Sequence, residues 1–161
     1  MNMPRNGSGS DQDKGAVWVA VQIVLLLLIL FSAGQPALPG AGGRIEVIMG
    51  LLIGAAGLGI VVLSTTNLGS NLSIFPRPRD DASLIQTGLY GIVRHPIYLG
   101  VILSALGWSL LRGSLIALVI TIGLFFFFDR KAHREEVWLM EKFPDYASYR
   151  GRVHKLIPWL Y

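Results

Sequence analysis

GLYGIVRHPIYLG, residues 88–100, joins a charged, turn-rich connection to an apolar run. Arg94 and His95 lie at the edge of that run, and Pro96 is well placed as the first residue of a helix. A helix N-terminus offers free N–H groups and a partial positive charge, so it favours anions such as carboxylates. The same residues also suit an interfacial anchor, with Arg94 and His95 at the lipid headgroups and Tyr98 in the aromatic belt. The pattern alone leaves both interpretations open.

The composition of the chain is that of a membrane protein. Of its 161 residues 52% are hydrophobic and only 15% are charged, and the mean hydropathy is +0.54, which lies outside the usual soluble range. The chain has no cysteine, which excludes disulfides, thiolate zinc sites and cysteine nucleophiles. The net charge of +4 does not indicate a nucleic-acid partner, because basic residues that flank membrane helices produce the same excess.

Four apolar runs organise the chain. We predict an all-α polytopic membrane protein with about four transmembrane helices, three to five being compatible with the runs, and a cytoplasmic C-terminal helical extension. Residues 1–14 are polar and predict a disordered cytoplasmic tail. Residues 15–68 hold two transmembrane helices. In the first, Gln22 is a lone polar residue expected to pack against another helix. In the second, Gly50 and Gly54 permit close helix contact, within the chain or in a dimer.

Residues 69–161 form the second half of the predicted protein. A long polar loop leads into a helical hairpin at 95–128, whose two apolar runs of roughly 16 residues would span about 23 Å, short of the ~30 Å hydrocarbon core. From Asp129 the helix should continue out of the membrane until Pro144 stops it. The remaining tail is basic and aromatic and suits the headgroup layer.

The distribution of basic residues predicts the orientation. With four spans, all Lys and Arg residues except Arg44 and Arg112 fall on the side that holds both termini and the 69–94 loop. The positive-inside rule therefore places both termini in the cytoplasm. The motif at Arg94 and the acidic pair Glu135 and Glu136 then share one surface, at neighbouring ends of the hairpin.

Other arrangements of polar residues are weaker indications of a functional site. A metal site can be drawn from His95, His133, Glu136 and His154, but only His133 and Glu136 have helical spacing, so we predict no metal. The tyrosines Tyr90, Tyr146, Tyr149 and Tyr161 are expected to serve as interfacial anchors rather than as acids or bases. We identify no nucleotide-binding glycine motif and no catalytic base.

The chain resembles the isoprenylcysteine carboxyl methyltransferase family and its bacterial and archaeal relatives. The resemblance covers residues 69 to 158 and depends on three motifs in this order: Gly88-x-Tyr90-x-x-Val93-Arg94-His95-Pro96-x-Tyr98-x-Gly100, Arg134-Glu135-Glu136, and Phe143-x-x-Tyr146-x-x-Tyr149 followed by Val153 to Pro158. Pro144-Asp145 departs from the glycine that relatives usually carry after the phenylalanine. The departure should alter the helix end without removing a ligand group.

The resemblance implies an integral membrane methyltransferase that binds S-adenosylmethionine. Arg94 and His95 suit the carboxylate of this cofactor, Glu135 or Glu136 suits its ammonium, and Tyr98 or Tyr90 suits its sulfonium through a cation–π contact of about 0.5–2 kcal/mol. The predicted cofactor contacts are Tyr90, Arg94, His95, Pro96, Tyr98, Gly100, Arg134, Glu135 and Glu136.

The predicted reaction is transfer of a methyl group to the carboxylate or thiolate of an isoprenoid-like or other small apolar acceptor, in a bacterial cell membrane. Two alternatives stay open at this stage: an NADPH-dependent membrane reductase of the sterol reductase type, which carries a similar C-terminal motif, and a non-enzymatic membrane scaffold. The expected partners are the acceptor and membrane lipids. The sequence leaves the identity of the acceptor and the oligomeric state open.

Overall fold

The computed structural model describes residues 8–32, 43–71 and 83–161. Within them the regular secondary structure is helical and no strand longer than an isolated β-bridge forms, which confirms the predicted all-α class. Five α-helices occur in the order α1 (Ser8–Phe31), α2 (Arg44–Leu68), α3 (Pro96–Leu111), α4 (Leu115–Lys142) and α5 (Tyr146–Arg152). Short 3-10 helices lie at Gly69–Asn71 and Gly88–Gly91. Much of the two predicted loops, 34–43 and 69–91, lies outside the described residues.

Helix α1 begins earlier than the sequence predicted. It starts at Ser8, seven residues before the predicted membrane run, and so includes part of the segment expected to be a disordered tail. Extending a helix that is already formed costs little per residue, because the unfavourable step is nucleation. Residues 1–7 lie outside the described residues.

Helices α2 and α3 pack closely through glycine. A Cβ added to Gly57 would lie 2.5 Å from the backbone nitrogen of Ser104, and one added to Gly50 would lie 2.7 Å from that of Leu111. Only glycine allows the two backbones to approach each other so closely. The small residues of α2 therefore serve a contact within the chain, one of the two uses that the sequence left open.

Helices α3 and α4 form a hairpin through the turn at 112–114. Gly113 adopts a positive φ of 58°, which favours glycine, and Ser114 caps α4 by accepting a 3.1 Å hydrogen bond from the amide of Ala117. Ser114 also donates a 2.6 Å hydrogen bond to the carbonyl of Ser32 at the end of α1. Together these bonds hold three helices at one end of the bundle.

The apolar surface of the helices is that of a membrane protein. Leu52, Leu58 and Phe126 are each more than 60% exposed, an arrangement that lipid tolerates and water does not. By length and composition α2 is long and apolar enough to cross a membrane, whereas the apolar segments Gly15–Phe31 and Pro96–Leu111 are shorter. The predicted number of four spans stays a prediction.

Candidate functional site

The chain entering α3 pairs with the C-terminal segment. Val93 forms a parallel bridge with His154. The amide of Arg94 donates to the carbonyl of His154 at 2.8 Å, and the amide of His95 donates to that of Lys155 at 3.1 Å. Pro96 begins α3 as the sequence predicted, since proline has no N–H to leave unpaired there. The pairing fixes the backbone on which Arg94 and His95 stand.

Glu136 on α4 is the centre of a buried ionic cluster. Its Oε1 accepts from Arg94 Nε at 2.8 Å and lies 3.1 Å from His95 Nε2. Its Oε2 lies 3.6 Å from Nε of the half-exposed Arg150. The guanidinium of Arg94 also donates to the carbonyl of Val153, and at 3.1 Å to that of Arg150. This one carboxylate therefore joins α3, α4 and the C-terminal segment.

His95 connects the two glutamates. Its Nδ1 lies 3.5 Å from Oε2 of Glu135, on the opposite edge of the ring from Glu136. The hydroxyl of Tyr98 donates to Oε1 of Glu135. The side chain of Glu136 is only 2% exposed, whereas that of Glu135 is 16% exposed. Glu135 is therefore the more exposed of the two carboxylates.

The cluster stabilises the charged form of its members. Burial alone would raise the pKa of Glu136, but hydrogen bonds and charges from His95 and Arg94 outweigh it and lower the pKa to about 2. Burial alone would lower the pKa of His95, but hydrogen bonds and charges from Glu135 and Glu136 outweigh it and raise the pKa above its usual value. The two carboxylates on either side of the His95 ring therefore favour its protonated form.

Aromatic rings form a wall beside the carboxylates. The ring of Tyr98 is nearly parallel to that of His95, with centroids 5.6 Å apart, and to that of Phe128, with centroids 4.5 Å apart. On another side, Lys131 Nζ lies 5.2 Å from the centroid of the Tyr98 ring. Tyr98 thus separates the ionic cluster from the apolar interior of the bundle.

Three of the four tyrosines expected to be interfacial anchors are buried, which corrects the prediction for those three. Tyr146, Tyr149 and Tyr90 are 1%, 3% and 8% exposed, because α5 folds back onto the cluster instead of lying among lipid headgroups. The hydroxyl of Tyr149 has a protein partner, the carbonyl of Tyr90. The buried hydroxyl of Tyr146 has no hydrogen-bond partner among the described residues.

A polar cavity of about 340 Å³ opens beside the cluster. Glu136 and Tyr161 line it together with cationic and histidine side chains, namely Arg94, His133, Arg150, Arg152, His154 and Lys155. The excess of positive charge suits a ligand that carries an anionic group.

The structure brings most of the predicted cofactor residues together. A continuous chain of contacts links five of them, in the order Arg94, Glu136, His95, Glu135 and Tyr98. Tyr90 and Pro96 are buried in the adjoining backbone.

Two of the predicted residues lie elsewhere. Gly100 packs against α2, where an added Cβ would lie 2.7 Å from the carbonyl oxygen of Gly57. Arg134 is exposed and its guanidinium lies 6.0 Å from the ring centroid of Trp138. Contact of either residue with a cofactor stays a prediction.

Sequence reasoning missed the role of the C-terminal segment. Arg150, Arg152, His154 and Lys155 line the cavity, and the backbone of 153–155 holds Arg94 and His95. The resemblance included Val153 to Pro158, so the signal was present, but the segment has no periodicity that would predict where it folds.

Comparisons with known proteins agree with this architecture. A family model described as phospholipid methyltransferase matches residues 45–146. Protein-S-isoprenylcysteine O-methyltransferase of Schizosaccharomyces pombe is 38% identical over 80 residues, which cover 48% of this chain and 34% of that protein. The protein of the same name from Saccharomyces cerevisiae is 36% identical over 86 residues, or 52% of this chain and 36% of that protein.

A solved structure has the same fold. It is the eukaryotic intramembrane Ras methyltransferase ICMT (isoprenylcysteine carboxyl methyltransferase), which matches with a TM-score of 0.68 and 19% identity over 98% of this chain and 55% of that chain. The matches confirm the resemblance seen in the sequence. They also show that the matched part of this chain spans about a third of the two yeast proteins and about half of the solved structure.

Proposed function

Because this chain belongs to the phospholipid methyltransferase family, we propose that it is a membrane methyltransferase that uses S-adenosylmethionine and acts on an apolar acceptor. The observation that carries the proposal is the contact of Arg94 and His95 with Glu136, beside a polar cavity of about 340 Å³. We further propose that the cofactor enters from the cytoplasm and the acceptor from the bilayer, with both termini cytoplasmic.

Residues of the cavity, together with the ionic cluster and the buried tyrosines beside it, fit such a cofactor. Its carboxylate suits the guanidinium groups of Arg150 and Arg152, and its ammonium suits the more accessible carboxylate, Glu135. The buried hydroxyl of Tyr146 has no partner among the described residues and is a donor that a bound ligand would satisfy. Arg94 and His95 are already occupied by Glu136, so we assign them a positioning role rather than direct contact with the cofactor carboxylate.

For methyl transfer the protein has chiefly to position the cofactor and the acceptor and to exclude water from them. When bound, S-adenosylmethionine supplies an electrophilic methyl group on a positively charged sulfur. A carboxylate or thiolate acceptor is already nucleophilic, so the chain needs no general base. The ring of Tyr98 can attract the sulfonium through a cation–π contact of about 0.5–2 kcal/mol, and Phe128 behind it keeps the wall apolar.

Cofactor binding is the direct test. Isothermal titration of S-adenosylmethionine into the purified chain in detergent should show binding, which His95→Ala and Glu135→Gln should abolish or weaken by at least about tenfold. Glu141→Gln is the matched control, because Glu141 is exposed on the same helix. The proposal fails if the wild-type chain binds no S-adenosylmethionine, or if it binds NADPH instead.

The acceptor class has its own test. Incubation of the chain with S-adenosylmethionine labelled in the methyl group and a lipid extract should give a labelled apolar product. A methyl ester or thioether would support the proposed acceptor chemistry. Label confined to water-soluble products would contradict an acceptor that enters from the bilayer.

A further inference from the structure

Lys131 on α4 is a buried cation whose hydrogen-bond partner is neutral. The residue is 3% exposed, and its Nζ donates a 2.7 Å hydrogen bond to Oε1 of Gln22 on α1. No carboxylate among the described residues lies within 4 Å of Nζ. An ammonium has three N–H donors, so two of them lack an acceptor in the part of the chain that the structure describes. A buried ammonium is unfavourable until a counter-ion completes its environment.

Lys131 adjoins the proposed methyl-transfer site through the ring of Tyr98. It contacts the ring of Tyr98, whose hydroxyl donates to Glu135, and it lies one helical turn before Glu135 on α4. It is not among the residues that line the cavity. A group bound to Lys131 would therefore lie beside the Tyr98 ring, where the proposed function places the sulfonium.

The surface of α1 next to Gln22 is apolar and exposed. Val21 and Val24 are 40% and 54% exposed, whereas Gln22 between them is half-buried and turned toward Lys131. A molecule with an apolar chain and one polar end can lie along α1 with its polar end at Lys131. The polar end that a buried ammonium and an amide group bind best is an anion.

We propose that Lys131, with Gln22, forms the subsite that binds the carboxylate of the apolar acceptor. This inference rests on the proposed methyltransferase function. In the transfer, one carboxylate oxygen forms a bond to the methyl carbon while the bond from that carbon to sulfur breaks and its electron pair stays on sulfur. No proton moves. The methyl ester that results is neutral, so it loses its attraction to Lys131 and leaves.

Ligand binding in the absence of cofactor tests the subsite separately from activity. The probes are N-acetyl-S-farnesylcysteine and its carboxamide, which differ only in the charge of the polar end. Their dissociation constants are measured by titration on the full chain in detergent for the wild type, Lys131→Met, Lys131→Gln and Gln22→Leu. Lys131→Gln keeps a polar partner for Gln22, so it guards against loss of folding in the methionine variant.

The proposed subsite predicts a change in the ratio of the dissociation constants of the two probes. The wild type should bind the carboxylate more tightly than the carboxamide by about tenfold or more, the effect of one charge-assisted hydrogen bond. Both Lys131 variants should lose that preference by weakening carboxylate binding alone, whereas Gln22→Leu should keep most of it. If Lys131 merely ties α4 to α1, its variants will weaken both probes equally, and the inference fails.

Titration of S-adenosylmethionine into the same variants separates the two proposals. Unchanged cofactor binding in the Lys131 variants, together with loss of the carboxylate preference, supports the subsite. A wild-type chain that binds no S-adenosylmethionine overturns the methyltransferase function. A wild-type chain that binds cofactor but shows no preference for the carboxylate overturns the subsite alone.

Discussion

The hydroxyl of Tyr149 donates a 2.6 Å hydrogen bond to the carbonyl oxygen of Tyr90, 59 positions earlier in the chain. The bond is buried, and it ties α5 to the short 3-10 helix that precedes Arg94. It therefore couples the C-terminal segment to the backbone that positions the ionic cluster.

Replacing Tyr149 with phenylalanine should destabilise the protein. The substitution leaves the carbonyl of Tyr90 without this donor in a buried position, which costs about 1–3 kcal/mol. Equilibrium unfolding in mixed detergent should show the loss. Tyr161→Phe is the control: its hydroxyl bonds to Asp129 at an exposed position, so the change should be within about 0.5 kcal/mol. Equal effects in the two variants would contradict the coupling.

Replacing Tyr146 with phenylalanine should weaken cofactor binding without destabilising the protein. The hydroxyl of Tyr146 is buried without a protein partner among the described residues, so its removal should leave stability unchanged or slightly higher. If the hydroxyl is a donor for the bound cofactor, affinity for S-adenosylmethionine should fall about tenfold. Thermal unfolding and calorimetric titration measure the two effects. A less stable variant with full cofactor affinity would assign the hydroxyl a structural role.

The ionic cluster predicts how stability depends on pH. Glu136 has a pKa of about 2, below its usual 4.5, so its contribution is present above pH 4.5 and is lost as the pH falls toward 2. His95 has a pKa raised above 6.5, so its contribution is complete below pH 6.5 and is lost as the pH rises through the raised value. The contribution of the pair is therefore greatest between about pH 4.5 and 6.5.

Thermal unfolding across pH checks this window. In the wild type the melting temperature should fall on both sides of it. His95→Gln should remove the dependence on the alkaline side, because glutamine does not titrate, while a weaker acid dependence from Arg94 and Glu136 persists. An alkaline side that is identical in the variant would show that His95 is not the titrating group.

Close packing of α2 on α3 predicts a contrast between two glycines of one helix. An added Cβ at Gly57 would lie 2.6 Å from the carbonyl oxygen of Gly100, whereas at Gly59 nothing lies within 4 Å. Gly57→Ala should destabilise the protein by about 1–3 kcal/mol or more. Gly59→Ala should be neutral or stabilising by up to about 1 kcal/mol, because alanine is the better helix former. Equilibrium unfolding compares the two, and similar values would contradict the packing.

The helical framework followed from local signals in the sequence. Pro96 begins α3 as predicted, and α4 ends at Lys142, before Pro144. The expectation that Arg94 and His95 meet the acidic pair is confirmed by their contacts with Glu136 and Glu135. Helix ends of a hairpin are neighbours by topology, so short-range patterns were sufficient.

The C-terminal segment was beyond those signals. Its contacts with the motif join residues about 60 positions apart. They use backbone carbonyls as acceptors, and because every residue has one, the sequence does not predict which carbonyls are used. Tyr146 and Tyr149 have the composition of interfacial anchors, and only the return of α5 onto the cluster buries them. Gly100 lies in the motif, yet the space it leaves is filled by α2, a helix outside the stretch that carried the resemblance.

The bridge between Val93 and His154 closes residues 93–154 into a loop whose two ends meet beside the ionic cluster. Helices α1 and α2 lie upstream of this loop and contact it through Gln22 and Gly57. In the proposed methyltransferase, substitutions on the exposed faces of these two helices would alter the surface offered to the acceptor, while the backbone that holds Arg94 and His95 stays the same.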